Sequence, residues 1–323
     1  MLSDLKFLTA AVARKDFVEE LCHVHIHKQH SWSYDGVMSI HTKLNVTQTI
    51  RPHAVSFIKA VSACDEEKNE IQIHPTKAGR LAIQAGKFKA FIPCIDNDKP
   101  GLLIPKPEGP DVPITPELFD SIKKFAPLMS LDASRPWAQG LRIVGNHTYV
   151  TNNIILAEYS HGSQFPLEII IPAEFVKTVL KIDQIPIKAQ ATEHCLTFHY
   201  PEERWIRTQL VAGGWPANLD KIFRTEPGTR LSEDFFPALE RLKPFMDDRG
   251  RVFIFNDRIA TTNVEEEGAS VDIEETNLTG VLFHLEQLQL LHPIMTTINL
   301  ASYPAPSAWY GENIRGVIVG LKA

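Results

Sequence analysis

The property of this sequence that most narrows its possible folds is an order of elements that occurs three times. In each copy a helix-spaced run is followed by alternating strands, a second helix and further strands. The first helices are predicted to start near residues 12, 116 and 232, the second near 52, 172 and 284. Both sets repeat at roughly 105–120 residues, the size of one small domain. A chain of 323 residues is also too long for one ordinary core. The expectation is an α+β protein of three like domains, 1–110, 111–228 and 229–323, each with two helices on antiparallel sheets.

In the first copy Leu5, Phe7 and Leu8 read as a strand-like start, and Val12, Phe17, Val18 and Leu21 fall at helical spacing. Residues 23–44 alternate around Asp35-Gly36, a hairpin signature. Arg51–Cys64 reads as a helix with Pro52 in its first turn. The Pro-rich segment from Pro100 to Pro116 reads as a linker. In the second copy Pro116 opens a helix, strands turn at Gly145-Asn146, and the run ending at Ile182 passes from strand to helix. Trp205–Phe223 begins as a strand, breaks at Gly213-Gly214 and turns through Trp215-Pro216 into a short amphipathic run. A second linker, Arg224–Asp234, leads to the third copy, where Ser232 is the expected N-cap.

Composition excludes several classes. With 44% hydrophobic and 22% charged residues the chain reads as soluble and globular, and no apolar run approaches a membrane span. The first seventeen residues carry charges through their apolar part, which predicts a cytoplasmic protein. Cys22, Cys64, Cys94 and Cys195 stand far apart without a CxxC pair, so reduced thiols are expected. A net charge of −6 argues against coating nucleic acid with the whole surface, yet leaves room for a local basic face. There is no nucleophile elbow, Walker loop or dinucleotide fingerprint, so neither an enzyme nor a cofactor is expected.

The second copy carries a resemblance. Ser134–Gly140 (SRPWAQG) followed by YVTNNIILAEY resembles the R-x-x-L-x-G and A-T-D-G-x-R-L-A patterns of the bacterial-type DNA sliding clamp, the β subunit of the replicative polymerase, and its phage relatives. IIIPAEFVKTVL and RTQLVAGGWPANLDKIF are similar to two further motifs of that family, and the acidic hairpin near residue 265 and the ending RGVIVGLKA to others. Asn152-Asn153 stand where the family has Asp-Gly, which favours a divergent or phage-borne member. The resemblance implies a ring of two head-to-tail chains around duplex DNA, with helices lining the hole and no free sheet edge after closure. It implies a homodimer that tethers the polymerase and clamp loader through short hydrophobic peptide motifs. Their pocket maps to Ala138, Thr151, Asn153, Ile154, Leu156, Pro216, Ile222, Val319, Gly320 and Leu321.

Phosphate contact without sequence readout needs cations on the helices. The candidates are Arg51, Lys59, Lys123, Lys124, Lys177, Lys181, Arg241 and Lys243, and the resemblance adds Arg135 and Trp137 from a loop. One alternative belongs to another class. His23, His25 and His27 alternate, as three imidazoles converging on zinc in a metal-dependent hydrolase would, although histidines on a half-exposed strand are the better account of them. A clamp-like scaffold that does not encircle DNA is a third reading.

Overall fold

In a computed structural model the described residues are 1–64, 69–98, 101–223, 228–264, 266–276, 278 and 280–322. The start of the second expected linker (224–227), the residue that opens the first (100) and Glu265 of the acidic hairpin lie outside them. Among the described residues there are six α-helices, α1 (Leu2–Leu8), α2 (Ala54–Ser62), α3 (Pro116–Phe125), α4 (Ala173–Ile182), α5 (Phe235–Leu242) and α6 (Leu285–Leu290). None is long and apolar enough to cross a membrane.

The chain forms two compact units, residues 1–114 with 177–210, and 115–176 with 211–323. Compactness therefore divides it differently from the element repeat.

The first unit is built on a seven-stranded antiparallel sheet of His25–His27, His30–Tyr34, Met38–Lys43, Trp205–Gln209, Cys195–His199, Lys188–Ala191 and Asp111–Val112. Lys28 and Gln29 both take positive φ in a tight two-residue turn, and Asp35 Oδ1 accepts from the Val37 and Met38 amides in the expected Asp-Gly turn. The strand Trp205–Gln209 pairs with Met38–Lys43, with Ile206 opposite Ile40, so this sheet crosses an expected domain boundary. The Pro-rich segment is held against it. Pro105 accepts from Ser39 Oγ, Gly109 from Gln190, and Glu108 from Arg207. A smaller sheet, Gln72–Pro75, Leu81–Ala85 and Phe88–Ile92, completes the unit over a core with Leu5, Leu8, Phe57 and Leu81.

The start of the chain departs from expectation. Leu5, Phe7 and Leu8 lie on α1, where Leu5 and Leu8 share a face at i,i+3 and are fully buried. Residues 12–18 form no helix. Phe17 is fully exposed, and Asp16 takes the Val18 amide in a local turn that competes with helix. Arg51 and Pro52 form a short strand against Cys94 and Ile95, and His53 caps α2 by accepting from the Ser56 amide.

The second unit holds a six-stranded sheet of Gly140–Thr151, Ile155–Pro172, Ile314–Ile318, Ser307–Gly311, Thr297–Asn299 and Thr229–Arg230. A four-stranded sheet of Ser270–Asp272, Arg258–Ala260, Arg251–Ile254 and Val281–His284 lies in the same unit. The expected turn at Gly145-Asn146 is a bulge inside one continuous strand: the register shifts on both sides of Gly145, at φ +57. Gly316 has a packing role, since a Cβ there would stand 2.2 Å from the Trp309 ring. α3 begins as predicted, with Thr115 accepting from the Leu118 amide, Pro116 at N1 and Lys123 and Lys124 in the last turn. α5 starts three residues after Ser232, whose hydroxyl makes no cap. The strand Ser307–Gly311 had no counterpart among the elements expected from sequence.

Candidate functional site: an apolar groove at the tip of the long hairpin

The hairpin of Gly140–Thr151 and Ile155–Pro172 turns through residues 152–154. Asn152 Oδ1 accepts from the Ile154 and Ile155 amides at 3.0 and 2.7 Å, and Thr151 Oγ1 accepts from the Asn153 amide at 3.1 Å. Asn153 sits at φ +74, a conformation that Asn tolerates better than most residues. This side-chain lacing fixes the tip and presents Ile154. On the far side the Val319 amide bonds the Ile154 carbonyl at 2.9 Å, continuing the sheet past Ile318.

These elements enclose a groove of about 190 Å³. Thr151, Asn153, Ile154, Leu156, Ile222 and Val319 line it, so six of the ten expected pocket residues come together. Ala138, Pro216, Gly320 and Leu321 do not line it. Ala138 is fully buried below the 136–138 turn, and Leu321 donates to the Leu282 carbonyl instead. Arg135, Trp137, Ile155, Leu219, Pro306 and Val317 complete the lining.

Packed against this lining is an aromatic cluster that shares Trp137, Leu156, Leu219 and Val317 with it. Trp215 lies at 5.4 Å edge-to-face from Trp137 and 6.3 Å from Tyr149, with Leu156 and Val317 in the same buried set. Phe223 packs at 6.2 Å from Tyr149, and Leu219 joins from the short 3-10 helix Leu219–Ile222. The strand expected to reach the Gly213-Gly214 break ends at Gln209, and Gly213, at φ +114, turns the chain before Trp215. Cations brace the cluster from outside. Arg142 stands 5.1 Å over Tyr149 and pairs with Glu168 at 3.0 Å. Arg315 stands 5.2 Å over Phe223 and makes a two-point pair with Glu158, whose hydrogen bonds push the Arg315 pKa up.

Beside the groove, sharing Ile154, lies a second cavity of about 380 Å³. Its lining carries both signs: Lys243 and Arg249 against Asp247, Asp248 and Glu286.

The expected nucleic-acid contacts divide. Lys59, Lys123, Lys177, Lys181, Arg241 and Lys243 are exposed, and Lys124 pairs with Asp120 at 2.9 Å. Arg51 is a correction. It is buried on a strand and donates to the Asp96 carbonyl, so it cannot reach a phosphate. Arg135 and Trp137, expected on the nucleic-acid side, line the groove. A feature that sequence reasoning missed lies in the first unit. Lys6, Lys181 and Arg204, with Ser3, Thr9 and Thr178, surround a cavity of about 550 Å³, and no carboxylate is among its described lining. Arg204 is held there by the Pro201 carbonyl and Gln184 and stands 5.6 Å over Phe7. The separation of these residues in sequence hid the cluster.

The histidines do not converge. His23 is bonded to the Glu19 carbonyl at 2.7 Å, His25 faces the Glu20 carbonyl at 3.3 Å, and His27 meets Thr49 at 2.8 Å. Among the described residues no group of three or more His, Cys, Asp or Glu could hold a metal ion.

The fold that carries this groove is that of the bacterial DNA sliding clamps. Three solved structures stand for the likeness. They are the Helicobacter pylori β clamp bound to a DNA ligase peptide (TM-score 0.79, 16% identity), the Caulobacter crescentus DNA polymerase sliding clamp (0.82, 16%), and the Pseudomonas aeruginosa DNA polymerase III subunit β bound to griselimycin (0.81, 17%). Each covers 100% of this chain and 97% of the other. No model of a known family matches the sequence, and no curated relative matches it either.

Proposed function

We propose that this chain is a DNA polymerase processivity clamp. Two copies close head to tail around duplex DNA, and polymerase and loader dock short hydrophobic peptides in the groove around Ile154. Its role is to hold partners rather than to catalyse, with three like domains of residues 1–110, 111–228 and 229–323 per chain. The observation that carries the reading is the groove itself: a preformed apolar slot, stiffened by Asn152 and lined by Trp137, Ile154, Leu156 and Val317, suits two apolar peptide anchors. One solved clamp of this fold holds a DNA ligase peptide.

Ring closure has support in two sheet edges of opposite charge. The sheet of Gln72–Pro75, Leu81–Ala85 and Phe88–Ile92 carries exposed Lys77, Arg80, Lys87 and Lys89. The edge strand Ser270–Asp272 is flanked by exposed Glu266, Glu267, Glu274 and Glu275, with Asp272 on the strand. Complementary edges on one chain favour a head-to-tail partner and cover backbone groups that would otherwise pair at random.

Light scattering across a concentration series tests closure. The expected mass is that of two chains, followed by longer retention on nicked circular than on linear DNA. A stable monomer at micromolar concentration removes the ring and leaves a clamp-like scaffold. Fluorescence anisotropy with a QLxLF-type peptide tests the groove, and no binding at millimolar protein would remove that assignment.

A further inference from the structure

One row of the seven-stranded sheet holds a buried charge that the fold pairs only in part. Cross-strand register sets Ser39, Arg207, Thr197 and Gln190 opposite one another on neighbouring strands, so all four share one face. The Pro-rich segment crosses that face and is pinned on both sides of residues 106–108. Ser39 donates to the Pro105 carbonyl at 2.7 Å, Gln190 to the Gly109 carbonyl at 2.9 Å, and the Ala191 amide to the Pro110 carbonyl at 3.2 Å. Gly109, at φ +90, allows the close approach: a Cβ there would stand 2.3 Å from the Ala191 carbonyl oxygen. Beneath the segment Arg207 is 7% exposed and Thr197 is fully buried. Glu108 touches the guanidinium only at Nη2, at 3.3 Å, and is itself exposed. Arg207 Nε and Nη1 and Thr197 Oγ1 are shielded from solvent and have no partner among the described residues. Neither two-donor edge of the guanidinium is therefore filled.

Burying a cation with unmatched donors is unfavourable, and buried polar groups in native proteins are matched by a partner. An oxyanion brings two oxygens to one edge of the guanidinium, an acceptor for the hydroxyl, and the opposite charge. We infer that Arg207 and Thr197 form a binding site for one small oxyanion of the phosphate class, covered by residues 105–110. With that segment closed over it the site takes a free ion, since a phosphate carried on a nucleic acid or a protein would bring its chain with it. Glu108 competes for the same guanidinium, so its withdrawal opens the edge that the ion occupies. The inference is independent of the groove around Ile154.

The test titrates inorganic phosphate into the full chain at low ionic strength, read by calorimetry. One saturable site is expected. Thr197→Val keeps the β-branched shape and should weaken binding about 10-fold, the loss of one hydrogen bond to a charged group. Arg207→Lys keeps the charge but not the two-donor edge and should weaken it at least as much. Glu108→Gln removes the competing carboxylate from an exposed position and should tighten binding about 3-fold. Replacing Lys6, Lys181 and Arg204 together by Gln should leave phosphate affinity unchanged, and duplex DNA should not displace the ion. No saturable binding at millimolar phosphate overturns the inference. So does an affinity that survives both Thr197→Val and Arg207→Lys. Loss of binding with the Lys6, Lys181 and Arg204 cluster, or displacement by duplex DNA, assigns the phosphate to the other cavity and overturns the inference too. Melting in chloride buffer separates loss of the site from loss of the fold, and if Arg207→Lys does not fold, Thr197→Val and Glu108→Gln decide.

Discussion

The groove around Ile154 and the cavity beside α1 and the end of α4 are lined in opposite ways. The first is lined by Trp137, aliphatic side chains and one cation, and its tip is set by local turn hydrogen bonds. The second has three cations, three hydroxyls and no described carboxylate, and its residues come from positions 3 to 204. A ligand of the first would be held through desolvation, responding to shape and little to salt. A polyanion at the second would be held through counterion release, responding steeply to salt and little to shape. One chain with net charge −6 can hold both because charge is distributed locally rather than by the total.

The largest effect expected is at the groove. Ile154→Asp replaces an apolar wall of the groove by a carboxylate and should weaken a QLxLF-type peptide by about 30-fold or more, read by anisotropy. Binding of linear duplex DNA by this variant should stay unchanged; joint loss would break the separation of the two sites. Next, replacing Lys6, Lys181 and Arg204 together by Gln should lower duplex affinity about 10-fold at low salt. The same variant should flatten the salt dependence by roughly 0.9 in log–log slope for each phosphate left without its cation. Peptide affinity should not move, and an unchanged salt slope would remove this cavity from the nucleic-acid surface.

The two units should also differ in acid. Burial holds His23, His25, His41 and His199 of the first unit below their ordinary values, against His161 in the second. His41 is sandwiched between His30 and Trp205, with ring centroids at 5.3 and 5.6 Å. Its Nδ1 donates to the Glu203 carbonyl, which leaves Nε2 to accept from His30 at 3.1 Å. A lowered folded-state value means the unfolded chain binds the proton first. This contribution to stability is present above about pH 6.5 and is lost as pH falls from there through the folded values. Hydrogen exchange between pH 7.5 and 5.5 should show the strands His30–Tyr34 and Met38–Lys43 losing protection before Gly140–Thr151. The reverse order would refute the assignment. The smallest effect is a control. Thr115→Ala removes the α3 cap, should cost about 1 kcal/mol in urea unfolding, and should leave both ligands' affinities alone.

Much of this could be read along the chain because the signals are local. Pro116 opens α3 and Asp35-Gly36 turns a hairpin; each is fixed by backbone chemistry within four residues. The repeated order of such elements also limited the fold, and the structural likeness to sliding clamps agrees with it. The groove was legible at Thr151, Asn153, Ile154, Leu156, Ile222 and Val319 through motif resemblance. The aromatic cluster packed against it was not, because no spacing rule links Trp137, Tyr149, Trp215 and Phe223.

Tertiary structure decided whatever depends on partners distant in sequence. Leu5 and Leu8 could serve a strand or a helix, and burial of one i,i+3 face selected the helix. Arg51 carries a charge that the sequence could only assign to solvent, yet the Asp96 carbonyl lies close enough to hold it inside. Lys6, Lys181 and Arg204 form a cluster only after a strand ending at 209 has paired with one at 38–43. Composition and periodicity set which elements form. Which of them meet is set by burial of apolar surface, which is non-directional and acts across the whole chain.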